Sequence, residues 1–518
     1  MFPKALIAQL NLQLNNILGS LQYLAPELLL AGLFVVVIVL DLIFSTRTSL
    51  KAHKKEVLWW ITLVGLGLVV LLLFAQLDLL TKRPIRGQIF LGLVIPDIYS
   101  IKFRLIIVFS GIFTLLISRN SRLFIPTNQT KAFQFQGEYY AILLAMLLGL
   151  HLLTMTDHLL MIYVSIELVS ISSYILTILY FHKKGIEGAL KYLLFGAFAS
   201  GLMIYGMSWL YGLSGDLSIG SFLNQIKTSA ALLNSIAAIL VLGGILFKIS
   251  AVPFHFWTPD AYQAAPTPVV AFFSVAPKVA LLMVLAKVSA IPATLLNSEA
   301  FDFFRQMILL LGVLAILTVL VGNFTALWQQ NVKRLLAYST IAHVGVLLMG
   351  IIDLRDVKII HLAFYLATYT LMNFGAFLAI EMVARNFKDE ENPYALKHYA
   401  GLGTQAPLIG VCMVILMIAL TGLPPTVGFQ AKLFIFSGMW ENYQIQGFSV
   451  YLWALIAGIF TTAVSLFYYL RIPFLMFLKN GESRKLTFSL FDQILLVVFS
   501  VAVLFLFFRV DWLFEWLK

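Results

Sequence analysis

Apolar residues in this chain come in runs of roughly 18–25 separated by short polar stretches, the length that crosses a ~30 Å hydrocarbon core as helix and too long for barrel strands. About fourteen such spans are legible, centred near residues 33, 67, 109, 147, 169, 199, 240, 278, 315, 343, 371, 420, 460 and 498. One stretch departs from this pattern. "QIFLGLVIPDIYS", residues 88–100, alternates apolar and polar positions and predicts a short hairpin ahead of the third span. The opening "MFPKALIAQLNLQLNNILGS" is interrupted by Gln and Asn and lacks the apolar core and cleavage site of a signal peptide, so it reads as an interfacial lead-in. The first span, near 22–44, then serves as the insertion signal.

The polar stretches between spans alternate in charge. Loops after odd-numbered spans contain "TRTSLKAHKKE", "SRNSR", "FHKKG", "QQNVKRL", "ARNFK" and "LKNGESRK", whereas loops after even spans include "SGDLS", "NSEAFDFF" and "WENYQ". With the basic side cytoplasmic, both termini face the opposite compartment. "TKRPIRGQIF", after the second span, is the one basic stretch on the other side.

Two internal echoes lie five spans apart. "LMIYG" at 202–206 in the sixth span returns as "LMNFG" at 371–375 in the eleventh. "KISAVPFHFWTP" in the seventh and "LTGLPPTVGFQAK" in the twelfth each place proline within apolar sequence beside a lysine. Because five is odd, a duplicated five-helix unit would cross the membrane in the opposite sense, and interrupted spans at matching positions point to an ion path. A short apolar match between two helices also arises by chance.

Composition narrows the chemistry. Of 518 residues, 61% are hydrophobic and only 11% charged, against roughly 25% charged in soluble domains, so this is an integral membrane protein. A single cysteine rules out an internal disulfide, an iron–sulfur cluster or a thiolate zinc site on this chain. No glycine-rich phosphate loop, HExxH or nucleophile elbow occurs. The net charge of +11 sits in short loops between spans, which fits membrane orientation rather than nucleic-acid binding.

Ionisable residues inside the spans are then the candidate chemistry, since each costs roughly 2.5–3.5 kcal/mol at a helix centre. Glu167 lies near the middle of the fifth span with Tyr163, Ser170 and Tyr174 on one helical stripe, and Lys278 lies as deep in the eighth, directly after Pro277. Lys248 precedes the break in the seventh span, and Lys432 follows Pro424, Pro425 and Gly428 in the twelfth. By position alone, Lys248 also fits a snorkelling side chain. Lys191, opening "KYLLFGAFASG", fits an interfacial anchor, and His343 in "YSTIAHVG" fits a hydrogen-bonded core histidine. His361, Tyr365, Tyr369 and Asn373 draw a polar seam along the eleventh span. A carboxylate and several lysines at middle depth on different helices suggest a proton relay. Lysine suits that task because its proton affinity falls on desolvation and recovers beside a carboxylate.

"FKISAVPFHFWTPDAYQAAPTPVVAFFSVAPKVA", "IELVSISSYIL", "EGALKYLLFGAFASG", "NVKRLLAYSTIAHVG" and "LTGLPPTVGFQAK" resemble the antiporter-like subunits of proton-pumping NADH:quinone oxidoreductase, respiratory complex I. The likeness covers nearly all spans and is greatest to the N-type subunit: the chain ends soon after its fourteenth span, and its twelfth carries lysine. The resemblance implies an all-α polytopic fold of about 14 transmembrane helices, with two inverted five-helix repeats (spans 4–8 and 9–13) and broken helices 7 and 12. The units would be residues 1–135 (flanking helices and hairpin), 136–290 and 291–480 (the repeats) and 481–518 (the last flanking helix). It also implies that Glu167, Lys191, Lys248, Lys278, His343 and Lys432 form a proton relay. FMN, iron–sulfur clusters and quinone would belong to partner subunits. Expected partners are other membrane-arm subunits, sibling antiporter-like chains among them, and the lipid bilayer. The expected location is a bacterial plasma membrane, with a thylakoid as the alternative. Two rivals share the charged helices: a subunit of a multisubunit cation/proton antiporter, and a scaffold whose charges only pair helices.

Overall fold

Each of the fourteen expected spans forms helix in the computed structural model. In order they are Ala25–Thr46, Lys54–Lys82, Ile98–Ser118, Gln136–Thr154, Leu159–Thr177, Lys183–Ser214, Ala231–Ile249, Thr267–Val288, Ala300–Leu327, Val332–Ile351, Lys358–Asn386, Pro407–Thr421, Ser449–Leu478 and Leu490–Phe508. Among the described residues, thirteen helices are long and apolar enough to cross a membrane, and Pro407–Thr421 is the shorter remaining one. The structure describes residues 19–46, 54–82, 89–90, 92–124, 136–180, 183–225, 231–289, 300–353, 358–387, 390–481 and 486–518. Residues 1–18 of the lead-in and 83–88 of the basic stretch after the second span lie outside them.

Local chemistry sets several starts. The Asp97 carboxylate accepts from the Ser100 N–H at 2.6 Å to open the third span, and the Asn331 side chain accepts from the N–H groups of Lys333 and Arg334 to open the tenth. The expected hairpin is present: Ile89 N–H donates to the Val94 carbonyl at 2.8 Å, with Gly92 supplying a positive φ of 91° at the turn.

Both predicted breaks are found. The seventh span stops at Ile249 and resumes as Trp257–Ala264, and the twelfth stops at Thr421 and resumes as Val427–Gln446. Each gap contains a cis proline bond, Val252–Pro253 and Pro424–Pro425. A second pair of features recurs five spans on. The residue before the fifth span bridges to the loop after the sixth (His158 with Ser218), and the residue before the tenth bridges to the loop after the eleventh (Asn331 with Ala395).

The glycines of the two pentapeptides explain why those sequences echo. Each lets its helix approach the next span closely. A Cβ on Gly206 would lie 2.8 Å from the Ala237 carbonyl oxygen of the seventh span, and one on Gly375 would lie 2.9 Å from Leu416 Cδ2 of the twelfth. The obstacles differ: backbone cannot yield, whereas a leucine methyl can rotate away. Gly206→Ala should therefore destabilise the protein by about 1–3 kcal/mol, the range for overpacking, and Gly375→Ala by less. Thermal unfolding of the two purified variants side by side checks the order.

The eighth span occupies the middle, with 100% of its apolar window buried, while the first and fourteenth bury only 22% and 28% of theirs. It packs against the third, fourth, seventh, tenth and eleventh spans. That enclosed helix carries Lys278, and the spans bearing Lys248 and His343 pack against it.

Candidate functional site

Lys278 is 1% exposed in the centre of that helix. Its place is made by the residue before it. Pro277 has no N–H to offer the carbonyl four residues earlier, so the Phe273 carbonyl is open inside an otherwise regular helix. The Lys278 ammonium fills the gap, donating to Phe273 O at 3.0 Å and to the Tyr262 hydroxyl at 3.2 Å.

Lys432, 8% exposed, uses the same device. The twelfth span ends at Thr421, where Gly422 turns the chain at φ 84°, so the Thr421 carbonyl in the last turn has no intrahelical N–H to meet. Lys432 Nζ donates to that carbonyl at 2.6 Å.

Lys248, 5% exposed, closes the first half of the seventh span and is held by aromatic groups instead. Its ammonium donates to the Tyr174 hydroxyl at 3.2 Å and stands 4.9 Å and 5.1 Å from the ring centroids of Tyr174 and Tyr192, a cation–π arrangement. A cavity of about 10 Å³ lies between Lys248, Tyr192, Trp257, Phe273 and Pro277. A second of about 10 Å³ is lined by His343, Lys432, Tyr469 and Asn323. Each is the size that admits one water.

Between the lysines runs a tyrosine-rich seam. His343 shares hydrogen bonds with the Tyr365 hydroxyl through Nδ1 (2.7 Å) and with the Tyr469 hydroxyl through Nε2 (3.2 Å), and Tyr469 also meets Ser339. One turn along the eleventh span Tyr369 donates to Thr340 Oγ1 at 3.2 Å, and a turn further Asn373 donates to Ser274 Oγ at 2.6 Å. The repeat of Tyr365, Tyr369 and Asn373 therefore faces the eighth and tenth spans. His361 leaves the row and stacks on Phe434, with ring centroids 5.3 Å apart.

Two expected members stand apart from these contacts. Glu167 forms no ion pair with Lys248. Its Oε1 is buried without a hydrogen-bond partner, and Tyr174, which anchors the ammonium, lies seven positions further along the same helix, about two turns. Lys191 is 43% exposed and bonds Glu187 at 2.8 Å and Asp260 at 3.0 Å, with no bond to the groups that hold the buried lysines.

Other functional groups escaped the sequence reading. Tyr262 and Tyr469 look like ordinary apolar-helix residues until packing brings them to Lys278 and His343. Lys333, counted there as loop charge in "QQNVKRL", is 0% exposed, donating to the Ala265 carbonyl at 2.5 Å beneath the Tyr394 ring. Separately, Glu27 Oε1 binds Arg104 Nη1 at 2.8 Å and His151 Nδ1 at 3.0 Å, joining the first, third and fourth spans in a buried triad. Arg104 and His151 were visible as polar breaks in apolar runs, but nothing local paired them.

Comparison with known proteins places this geometry in context. Residues 156–461 match the family described as NADH:quinone oxidoreductase/Mrp antiporter, transmembrane. The chain is 37% identical over 491 residues to "NADH-quinone oxidoreductase subunit N 2" of Chloroherpeton thalassium, covering 92% of this chain and 90% of that one. It is 38% identical over 469 residues to "NADH-quinone oxidoreductase subunit N" of Chlorobium chlorochromatii, covering 89% and 86%. A chain of respiratory complex I from Thermus thermophilus, solved with bound aureothin, superposes with a TM-score of 0.75 at 29% identity, covering 95% of this chain and 98% of that one.

Proposed function

This chain belongs to the NADH:quinone oxidoreductase/Mrp antiporter transmembrane family, and from that premise we propose that it is the N-type, proton-translocating membrane subunit of an NADH:quinone oxidoreductase. It would work beside sibling antiporter-like subunits in a bacterial plasma membrane, basic loops to the cytoplasm and both chain ends on the far side. Residues 136–290 and 291–480 would act as the two inverted units, flanked by 1–135 and 481–518. Flavin, iron–sulfur and quinone chemistry falls to partner subunits.

The observation that carries the proposal is the set of three enclosed lysines, Lys248, Lys278 and Lys432, each bonded only to neutral oxygens, two of them beside cavities that admit a water. A structural ion pair would give each cation a carboxylate. Among the described residues these have none within bonding distance, which suits a charge that comes and goes. A proton on Lys248 passes through the adjoining cavity to Lys278, whose Tyr262 bond leads towards the Thr340, Tyr369 and His343 seam and then to Lys432. Glu167 acts through space, its carboxyl, with Oε1 unpaired, balancing the Lys248 ammonium without bonding to it. Moving one charge against the membrane field costs ~2.3 kcal/mol per 100 mV, which quinone reduction in the partner subunits supplies.

Glu167→Gln tests this in the assembled complex. It should leave assembly intact and slow NADH-driven proton uptake several-fold, because the counter-charge is gone while the lysine path remains. Lost assembly with normal pumping in whatever complex survives would favour the scaffold instead.

A further inference from the structure

Lys191, expected in the relay, sits instead in a surface ion-pair cluster directly over the Lys248 chamber. Asp260, on the half-helix Trp257–Ala264, holds Lys191 of the sixth span at 3.0 Å and Arg334 of the tenth at 2.6 Å, and Arg334 also donates to Gln263 at 3.0 Å. Asp260 is therefore the hub through which this half-helix is tied to helices on both sides.

Beneath the ion pairs lies an aromatic layer made by their neighbours in sequence. Tyr192 follows Lys191, and Trp257 lies one turn before Asp260. Their rings stack at 4.0 Å with an interplanar angle of 5°. Trp257 Nε1 donates to the Phe247 carbonyl at 3.0 Å, and the next residue is Lys248. Tyr192 and Trp257 are also walls of the cavity beside Lys248. The Lys191–Asp260 contact and the Tyr192–Trp257 stack thus join the same two helices at successive levels, the stack lying against the cavity that holds the ammonium.

Lys191 has a second carboxylate within reach, Glu187 at 2.8 Å on its own helix. It can release Asp260 without losing a counter-charge. Exposed ion pairs of this kind contribute little net stability, which suits a contact that opens on every turnover.

We propose that Asp260 is a positioning residue for proton transfer: with Lys191 and Arg334 it latches the Trp257–Tyr192 stack over the Lys248 cavity, and handover of Lys191 from Asp260 to Glu187 is the step that opens it. This rests on the relay reading for its purpose. The latch itself is measurable without it.

The experiment uses the intact complex in membrane vesicles carrying Ser173→Cys, since the buried Ser173 hydroxyl donates to Tyr192 Oη at 3.0 Å directly under the stack. A small cationic methanethiosulfonate, added on the side of the basic loops, reports access. Asp260→Asn should speed labelling roughly three- to tenfold and lower the protons moved per electron, and Asp260→Glu should return both towards the parent. Glu187→Gln, at an exposed position, should slow labelling and turnover by about threefold, because Lys191 then has only Asp260. Unchanged labelling in Asp260→Asn overturns the latch. If that variant fails to assemble, unchanged labelling in Glu187→Gln overturns it instead. Altered labelling with pumping insensitive to Lys278→Ala would leave the latch standing and remove the relay.

Discussion

A complex in which Lys278 is replaced by alanine is expected to assemble, to oxidise NADH with an artificial electron acceptor at the normal rate, and to lose proton translocation coupled to quinone reduction. Assembly survives because two opposing terms are similar in size. The substitution strands the Phe273 carbonyl, at about 1–3 kcal/mol for an unsatisfied buried group, leaves the Tyr262 hydroxyl with Thr340, and removes an ammonium that cost roughly 2.5–3.5 kcal/mol to bury. Function does not survive, because the described residues around Phe273 and Tyr262 offer no other titratable amine bonded to both. Removing a positioned proton carrier typically slows transfer by about 10²–10⁴-fold, far beyond what a rearranged water could restore. Proton uptake by inverted vesicles during NADH oxidation is the measurement, and full stoichiometry in an assembled Lys278→Ala complex would end the relay.

The second large effect concerns stability and lies in the buried triad of the first, third and fourth spans. Glu27→Ala should destabilise the protein by about 3–5 kcal/mol, since it leaves Arg104, 0% exposed, as an uncompensated charge between the first, third and fourth spans. The Glu27 carboxylate takes both Arg104 and His151 on one oxygen, so a single truncation strands two partners. Replacing Glu27 and Arg104 together by leucine and methionine should recover most of the loss, because a buried pair exchanged for apolar side chains of similar volume is often neutral. Thermal unfolding and detergent-extracted yield of the single and double variants decide it. Equal instability in both would show that the triad does more than balance its own charges.

What was legible in the sequence follows from which interactions are local. Span length and loop charge are properties of consecutive residues, so all fourteen helices and both interruptions could be read before any packing was known. The depth of Lys278 was readable for the same reason. Even its acceptor was implied, since a proline at 277 opens the carbonyl at 273 by helix geometry alone. Lys191 could not be settled this way. It lies near the start of a 32-residue helix that is longer than a bilayer requires, and its partner Asp260 arrives from 69 positions away across the break. Tyr469 meets His343 across 126 positions, and Arg104 meets Glu27 across 77. No periodicity encodes such pairs. Glu167 shows the opposite limit: its helix and depth were clear, but the absence of a bonded counter-ion emerged only from the packed structure.

Pro277 and the helix end at Thr421 give two lysines a peptide oxygen as their resting seat, and a peptide oxygen neither gains nor loses a proton at any physiological pH. Both seats therefore behave as fixed dipoles, equally welcoming whatever the state of the quinone. Neither can time its own discharge. On the proposed relay, the signal that empties them has to come from elsewhere, as a passing change in field or a fleeting thread of solvent, so the clock would stand outside the sites that hold the cargo.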